Sequence, residues 1–83
     1  MIRVLYFARL REDLGTDGEA LEWAEGLTLG GLRARLAARG GRWAEALDEA
    51  RLVLMAVNQE MADSNHPLQD RDEIALFPPV TGG

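Results

Sequence analysis

The chain has 83 residues, a net charge of −5 and no cysteine. That length supports one small hydrophobic core, and the lack of thiols excludes disulfides, thiolate chemistry and cysteine-held metals or clusters. The negative charge argues against nucleic acid as a partner, because phosphate binding needs clustered positive side chains. A hydrophobic content of 47% argues against disorder. One histidine and scattered carboxylates give no metal-ligand spacing. The chain opens directly in a β-like run without a basic segment followed by a longer apolar stretch, and no apolar run approaches membrane-spanning length. No signal peptide, no membrane contact and a cytoplasmic location are therefore expected. All nine basic residues are Arg. The chain thus has no side-chain amine that could attack an activated carboxyl group; only the Met1 α-amine could.

Residues 1–8 read as a strand, with Ile2, Val4 and Tyr6 on a core-facing side. Leu5 and Phe7 then share the opposite face with Arg3, which suggests a covering layer or a contact surface. Arg9 to Leu14 fits a short helix ended by Gly15, and Thr16-Asp17-Gly18 is a turn cluster. Glu19 to Trp23 alternates as a half-buried strand, with Leu21 and Trp23 inward. Thr28 suits the N-cap of a helix through Arg39, whose apolar stripe is Leu29, Leu32 and Leu36. Gly30 and Gly31 weaken its first turn, and they match neither GxGxxG nor GxxxxGK. Arg33, Arg35 and Arg39 read as a solvated face.

Gly40-Gly41 ends that helix, and a second runs from Arg42 to Ala50. Its Trp43, Ala46, Leu47 and Ala50 make a core-facing stripe, while Glu45, Asp48 and Glu49 are solvated. Leu52 to Asn58 is apolar almost throughout, as expected of a central or doubly covered strand. Gln59-Glu60 reads as a turn into a short strand around Met61 and Ala62. His66 precedes Pro67 and is biased to extended geometry, and Leu68 tucks that loop onto the core. Asp70-Arg71-Asp72 is a tight turn. Glu73 to Phe77 is the last strand, with Ile74 and Leu76 on one face and Ala75 and Phe77 on the other.

The order of elements predicts an α+β fold, a β-grasp with helices on one face of a mixed sheet and the last strand parallel to the first. The uncovered face would carry Leu5, Phe7 and Phe77, an apolar patch suited to docking. Beyond Phe77 runs Pro78-Pro79-Val80-Thr81-Gly82-Gly83. Pro-Pro favours polyproline II and holds the last four residues away from the fold, and glycine permits close approach. Extended, the six residues from Pro78 span about 20 Å, enough to carry a terminal carboxylate into a neighbouring protein. The expected division is a domain over residues 1–77 and a flexible C-terminal tail over residues 78–83. Nowhere in the chain is there a nucleophile–base pair or a metal set.

The opening Ile2-Arg3-Val4-Leu5-Tyr6-Phe7-Ala8, Arg11-Glu12, Gly15, Leu32-Arg33 and Leu36 resemble the small, sulfur-carrier subunits of molybdopterin synthase, in the ubiquitin-like β-grasp superfamily. Ala56-Val57-Asn58, His66-Pro67-Leu68 and Asp72-Glu73-Ile74-Ala75, leading into Phe77-Pro78-Pro79-Val80-Thr81-Gly82-Gly83, extend that resemblance over essentially the whole chain. Arg71 departs from it, standing where the family usually has Gly, and Gly30-Gly31 replaces better helix formers.

The resemblance implies that a ubiquitin-activating-like adenylyltransferase uses ATP to adenylate the Gly83 carboxylate. A sulfur-donating protein then converts it to a thiocarboxylate. The tail next enters a large, catalytic subunit, which transfers the sulfur to cyclic pyranopterin monophosphate. The chain would then be no enzyme on its own but the sulfur-donating subunit of a sulfurtransferase complex, a heterotetramer, with no bound cofactor and no metal. Gly82 and Gly83 are the implied reactive end. Phe7, Met61, Phe77, Pro78, Pro79, Val80 and Thr81 are the implied partner contacts. Two related readings share the fold and the Gly-Gly end, a sulfur carrier of thiamine synthesis and a ubiquitin-like protein modifier. The Phe-Pro-Pro step and the two-helix middle section stand against the thiamine carrier.

Overall fold

The structure is a computed structural model that describes residues 1–79. Five strands and three helices alternate as β1 (Ile2–Tyr6), α1 (Ala8–Leu14), β2 (Gly18–Leu21), α2 (Leu29–Ala37), α3 (Gly41–Ala46), β3 (Leu54–Val57), β4 (Glu60–Met61) and β5 (Glu73–Phe77). The strands form one sheet in the order β2-β1-β5-β3-β4. β1 pairs antiparallel with β2 and parallel with β5, whereas β3 runs antiparallel to both β5 and β4. This is the mixed β-grasp sheet expected from the element order. The central strand is β5, however, and β3 lies one place from the edge. The continuous apolar run around β3 thus marks shielding by its neighbours rather than a central position.

Alternation decides what each strand buries. Ile2, Val4 and Tyr6 of β1 and Ile74 and Leu76 of β5 are buried, as are Met55 and Val57 of β3. They form one cluster with Leu10 and Leu14 of α1, Leu29, Leu32 and Leu36 of α2, and Ala46 with Leu47 at the end of α3. All three helices therefore cover the same face of the sheet. Leu68 joins this core at 3% exposure, and its carbonyl accepts the Trp23 indole N–H at 2.7 Å. Trp23 thus packs on the core as expected, although β2 itself ends at Leu21.

The helix ends follow their capping chemistry. The Thr28 hydroxyl accepts the Gly31 N–H, satisfying one of the first-turn donors. Gly15 closes α1 in the left-handed region at φ +73°, where only glycine is free of Cβ strain. α3 stops at Ala46, shorter than the periodicity predicts, and Ala50 is exposed. Arg33 explains the difference. Its Nε donates to the Leu47 carbonyl, and its Nη2 donates to the carbonyls of Asp48 and Arg51. One guanidinium holds three carbonyls in a curled loop that a continued helix would not present.

Arg39 is exposed, as a solvated face requires, but it is not without partners. Its guanidinium forms a two-pronged pair with Glu19 of β2 at 2.8 and 2.9 Å and lies 4.4 Å from the Trp43 ring centroid. The Tyr6 hydroxyl donates to the same carboxylate at 2.8 Å, and the Tyr6 and Trp43 rings meet edge to face at 5.5 Å. Four side chains thereby tie β1, β2, α3 and the end of α2 together.

This tie makes stability depend on pH at both extremes. Hydrogen bonding from Arg39 holds the Glu19 carboxyl below its ordinary range. Its contribution is full above the unfolded-state value of about 4.3 and is lost as pH falls through the lower folded value. Burial, and then the hydrogen bond to Glu19, push the Tyr6 phenol up. That contribution is full below about 10 and is lost as pH rises beyond it. Melting temperature measured against pH is expected to fall at both ends. Glu19→Gln should flatten the acid limb, and Tyr6→Phe should flatten the alkaline one.

Two turns place non-glycine residues in the left-handed region. Asn58 and Gln59, at φ +50° and +70°, make the two-residue hairpin joining β3 to β4, one position earlier than the Gln59-Glu60 turn expected. Arg71 sits at φ +74° between Asp70 and β5. A side chain there is strained by about 1–2 kcal/mol. Arg71→Gly is expected to stabilise the fold by up to about 1 kcal/mol, raising the melting temperature by roughly 4–8 °C in calorimetry. Nearby, the Met1 ammonium pairs with the exposed Asp70 carboxylate and lowers its pKa. Among the described residues no helix is long and apolar enough to cross a membrane.

Candidate functional site

The face of the sheet turned away from the helices carries the odd-numbered residues of β1 and β5. Strand register aligns Gly18, Leu5, Ala75, Ala56 and Met61 in one row across all five strands. Three strand spacings separate Leu5 from Met61, about 14 Å. The centre of the row is small, with alanines on β5 and β3, while Leu5 and Met61 stand towards its two sides. The next row pairs Phe77 with Leu54. Phe7 follows β1 in extended conformation at φ −121° and donates its N–H to the Leu76 carbonyl. That bond holds Phe7 against the end of β5.

Exposure identifies this face as an apolar surface open to solvent. Phe7 is 44% and Met61 62% exposed, and Leu5, Leu54, Ala75 and Phe77 are half-buried. The opposite end of the face is charged, where Arg3 neighbours Glu73 across the β1–β5 pair. Alanine at position 8 takes φ +54°. This left-handed step costs about 1–2 kcal/mol and turns the chain from Phe7 into α1.

Phe77 is the last residue of β5, and half-buried Pro78 and Pro79 follow it directly. The tail thus starts from the central strand, beside Phe7 on one side and Leu54 on the other. Of the expected site residues, Phe7, Met61, Phe77, Pro78 and Pro79 are placed, and the first three share the outer face. Val80, Thr81, Gly82 and Gly83 lie outside the described residues. Sequence reading missed Leu54 and Ala56 as members of this face, because an unbroken apolar run carries no alternation. Pairing with β5 supplies the missing parity. The Tyr6–Glu19–Arg39 cluster, where pKa values are displaced, lies on the helix side of the sheet. Among the described residues no three His, Asp or Glu side chains are grouped to hold a metal. The outer face therefore offers apolar area and shape, and what it can do is bind.

A five-stranded mixed sheet in this order, with helices on one face only, defines a β-grasp domain of the ubiquitin-like kind. Residues 4–83 match the ThiS family. The chain is 51% identical to the molybdopterin synthase sulfur carrier subunit of Escherichia coli K12, over 83 residues and the full length of both chains. It is 43% identical, again over the full length of both, to the subunit of that name from Haemophilus influenzae. Among solved structures it is similar to a protein–protein complex of subunits 1 and 2 of the molybdopterin-converting factor from Helicobacter pylori. That match has a TM-score of 0.69 and 28% identity, and it covers 99% of this chain and 97% of the other. The chain belongs to the ThiS family, among the molybdopterin synthase sulfur carrier subunits.

Proposed function

We propose that the chain carries sulfur on the carboxyl group of Gly83 and delivers it within a molybdopterin synthase. The observation that carries this reading is the departure of the Phe77-Pro78-Pro79 segment from the central strand, at the edge of an exposed apolar sheet face. Such a face seats the domain on a partner, and the tail then leads into that partner from a fixed origin. Apolar burial supplies affinity, and the Pro-Pro step limits the entropy lost when the tail is threaded.

The chemistry follows from what a carboxylate lacks. It is a poor acyl donor, so a ubiquitin-activating-like adenylyltransferase first joins it to the AMP portion of ATP, with pyrophosphate leaving. Sulfide-level sulfur supplied by a donor protein then attacks the acyl carbon, AMP leaves, and a thiocarboxylate remains. In its ionised form this sulfur is a strong nucleophile, and it gives a cysteine-free chain its reactive group. The tail enters the large subunit and the sulfur passes to cyclic pyranopterin monophosphate; hydrolysis returns Gly83 as a carboxylate. A dithiolene needs two sulfurs, hence two deliveries, which a heterotetramer with two carriers would supply. The carrier itself binds no cofactor and acts in the cytoplasm. Thiocarboxylated chain, mixed with large subunit and cyclic pyranopterin monophosphate, is expected to yield molybdopterin. A chain that neither binds the large subunit nor yields product would overturn the reading.

A further inference from the structure

A second surface lies at the root of the tail, on the helix side. A hollow of about 360 Å³ opens between α1, α3 and the segment before β3, with Pro78 on its rim. Three arginines line it: Arg9 from α1, Arg42 from α3 and Arg51 from the following loop. This is a third of the nine arginines in a chain of net charge −5. Among the described residues none of the three guanidiniums has a carboxylate within ion-pairing distance, whereas Arg33 and Arg39 have hydrogen-bond partners within the chain. Arg42 Nη1 lies over Gly15, 2.8 Å from where a Cβ there would stand.

The other walls narrow the kind of ligand. Buried Leu10 and Val53 line the hollow, and Leu52 beside them is 67% exposed. Asp13 and Glu45 also face it. Two carboxylates beside three guanidiniums leave a small net positive charge in the lining, which suits isolated carboxylates on a protein surface rather than a dense polyanion. Arginine mixed with exposed apolar side chains is instead the composition of a protein–protein interface. Pro78 puts this hollow at the root of the tail, beside the position of a protein that grips the tail close to the domain.

We propose that this hollow is an electrostatic docking site for carboxylate side chains on the subunit that receives the tail. It works alongside the apolar outer face, with Pro78, at the root of the tail, on its rim. The proposal rests on the carrier reading. Charges at such a rim steer encounter and fix orientation more than they add apolar affinity.

The test is binding of the full chain to the molybdopterin synthase large subunit, measured by surface plasmon resonance at low and high salt. The triple variant Arg9→Glu/Arg42→Glu/Arg51→Glu is expected to bind on the order of 10–100-fold more weakly at low salt, mainly through slower association, and to lose most of its salt dependence. The neutral Arg9→Gln/Arg42→Gln/Arg51→Gln variant should fall between it and wild type. Circular dichroism melts of both variants separate loss of binding from loss of fold. Wild-type binding that neither variant changes would overturn the docking site alone; no binding by wild type would overturn the carrier reading as well. Retention of the wild-type chain by immobilised heparin, lost in the triple variant, would overturn the assignment to a protein surface.

Discussion

A chain lacking Gly83 is expected to give no detectable molybdopterin with the large subunit, while its melting temperature stays that of the full chain. Among the described residues the core closes before the tail: β5 ends at Phe77, and every described residue of the buried cluster precedes it. Removing one residue draws the terminal group back by roughly 3.5 Å. A misplacement of about 1 Å can already cost on the order of 100-fold in rate. Activity and stability should therefore separate completely. The comparison is made with both chains carrying a terminal thiocarboxylate, so that loading is not the difference. A truncated chain that still supported synthesis at the full rate would show that Gly83 does not present the sulfur.

The second large effect is expected at Ala75, in the middle of the row that crosses the outer face. Its neighbours are Leu5 on β1 and Ala56 on β3, so any partner seated on this face covers it. Ala75→Arg places a long cationic side chain there. Burying that charge without a counter-ion costs about 3–5 kcal/mol, which corresponds to a loss of affinity of roughly 100- to 4,000-fold. The same substitution should do little to the fold, because the side chain can extend into solvent in the free domain. Affinity for the large subunit by titration calorimetry, alongside the melting temperature, checks both statements. Phe77→Ser provides a milder second case, removing an aromatic contact at the foot of the tail. Unchanged affinity in both variants would move the docking surface elsewhere on the domain.

The fold was legible where alternation or capping chemistry is local. Val4 with Tyr6, and Ile74 with Leu76, identify the buried faces of β1 and β5 by parity alone. Gly15 and Thr28 mark helix ends through their own conformations and hydroxyls. What was not legible depends on partners distant in sequence. Arg33 shortens α3 by gripping carbonyls 14 to 18 residues away, and Arg39 reaches back 20 residues to Glu19. In sequence both are members of a run of charge. Leu54 and Ala56 show the same limit for the docking face, since only their pairing with Phe77 and Ala75 reveals which way they point. The end of β5 at Phe77 was legible too, because a Pro-Pro step cannot continue a central strand.

The central claim is that Gly83 carries sulfur and gives it up to the large subunit. Its most direct test is intact mass spectrometry of the thiocarboxylated chain before and after incubation with the large subunit and cyclic pyranopterin monophosphate. The mass is expected to fall by the difference between one sulfur and one oxygen, in step with molybdopterin formation and only when the large subunit is present. Molybdopterin formed while the chain keeps its sulfur would contradict the claim.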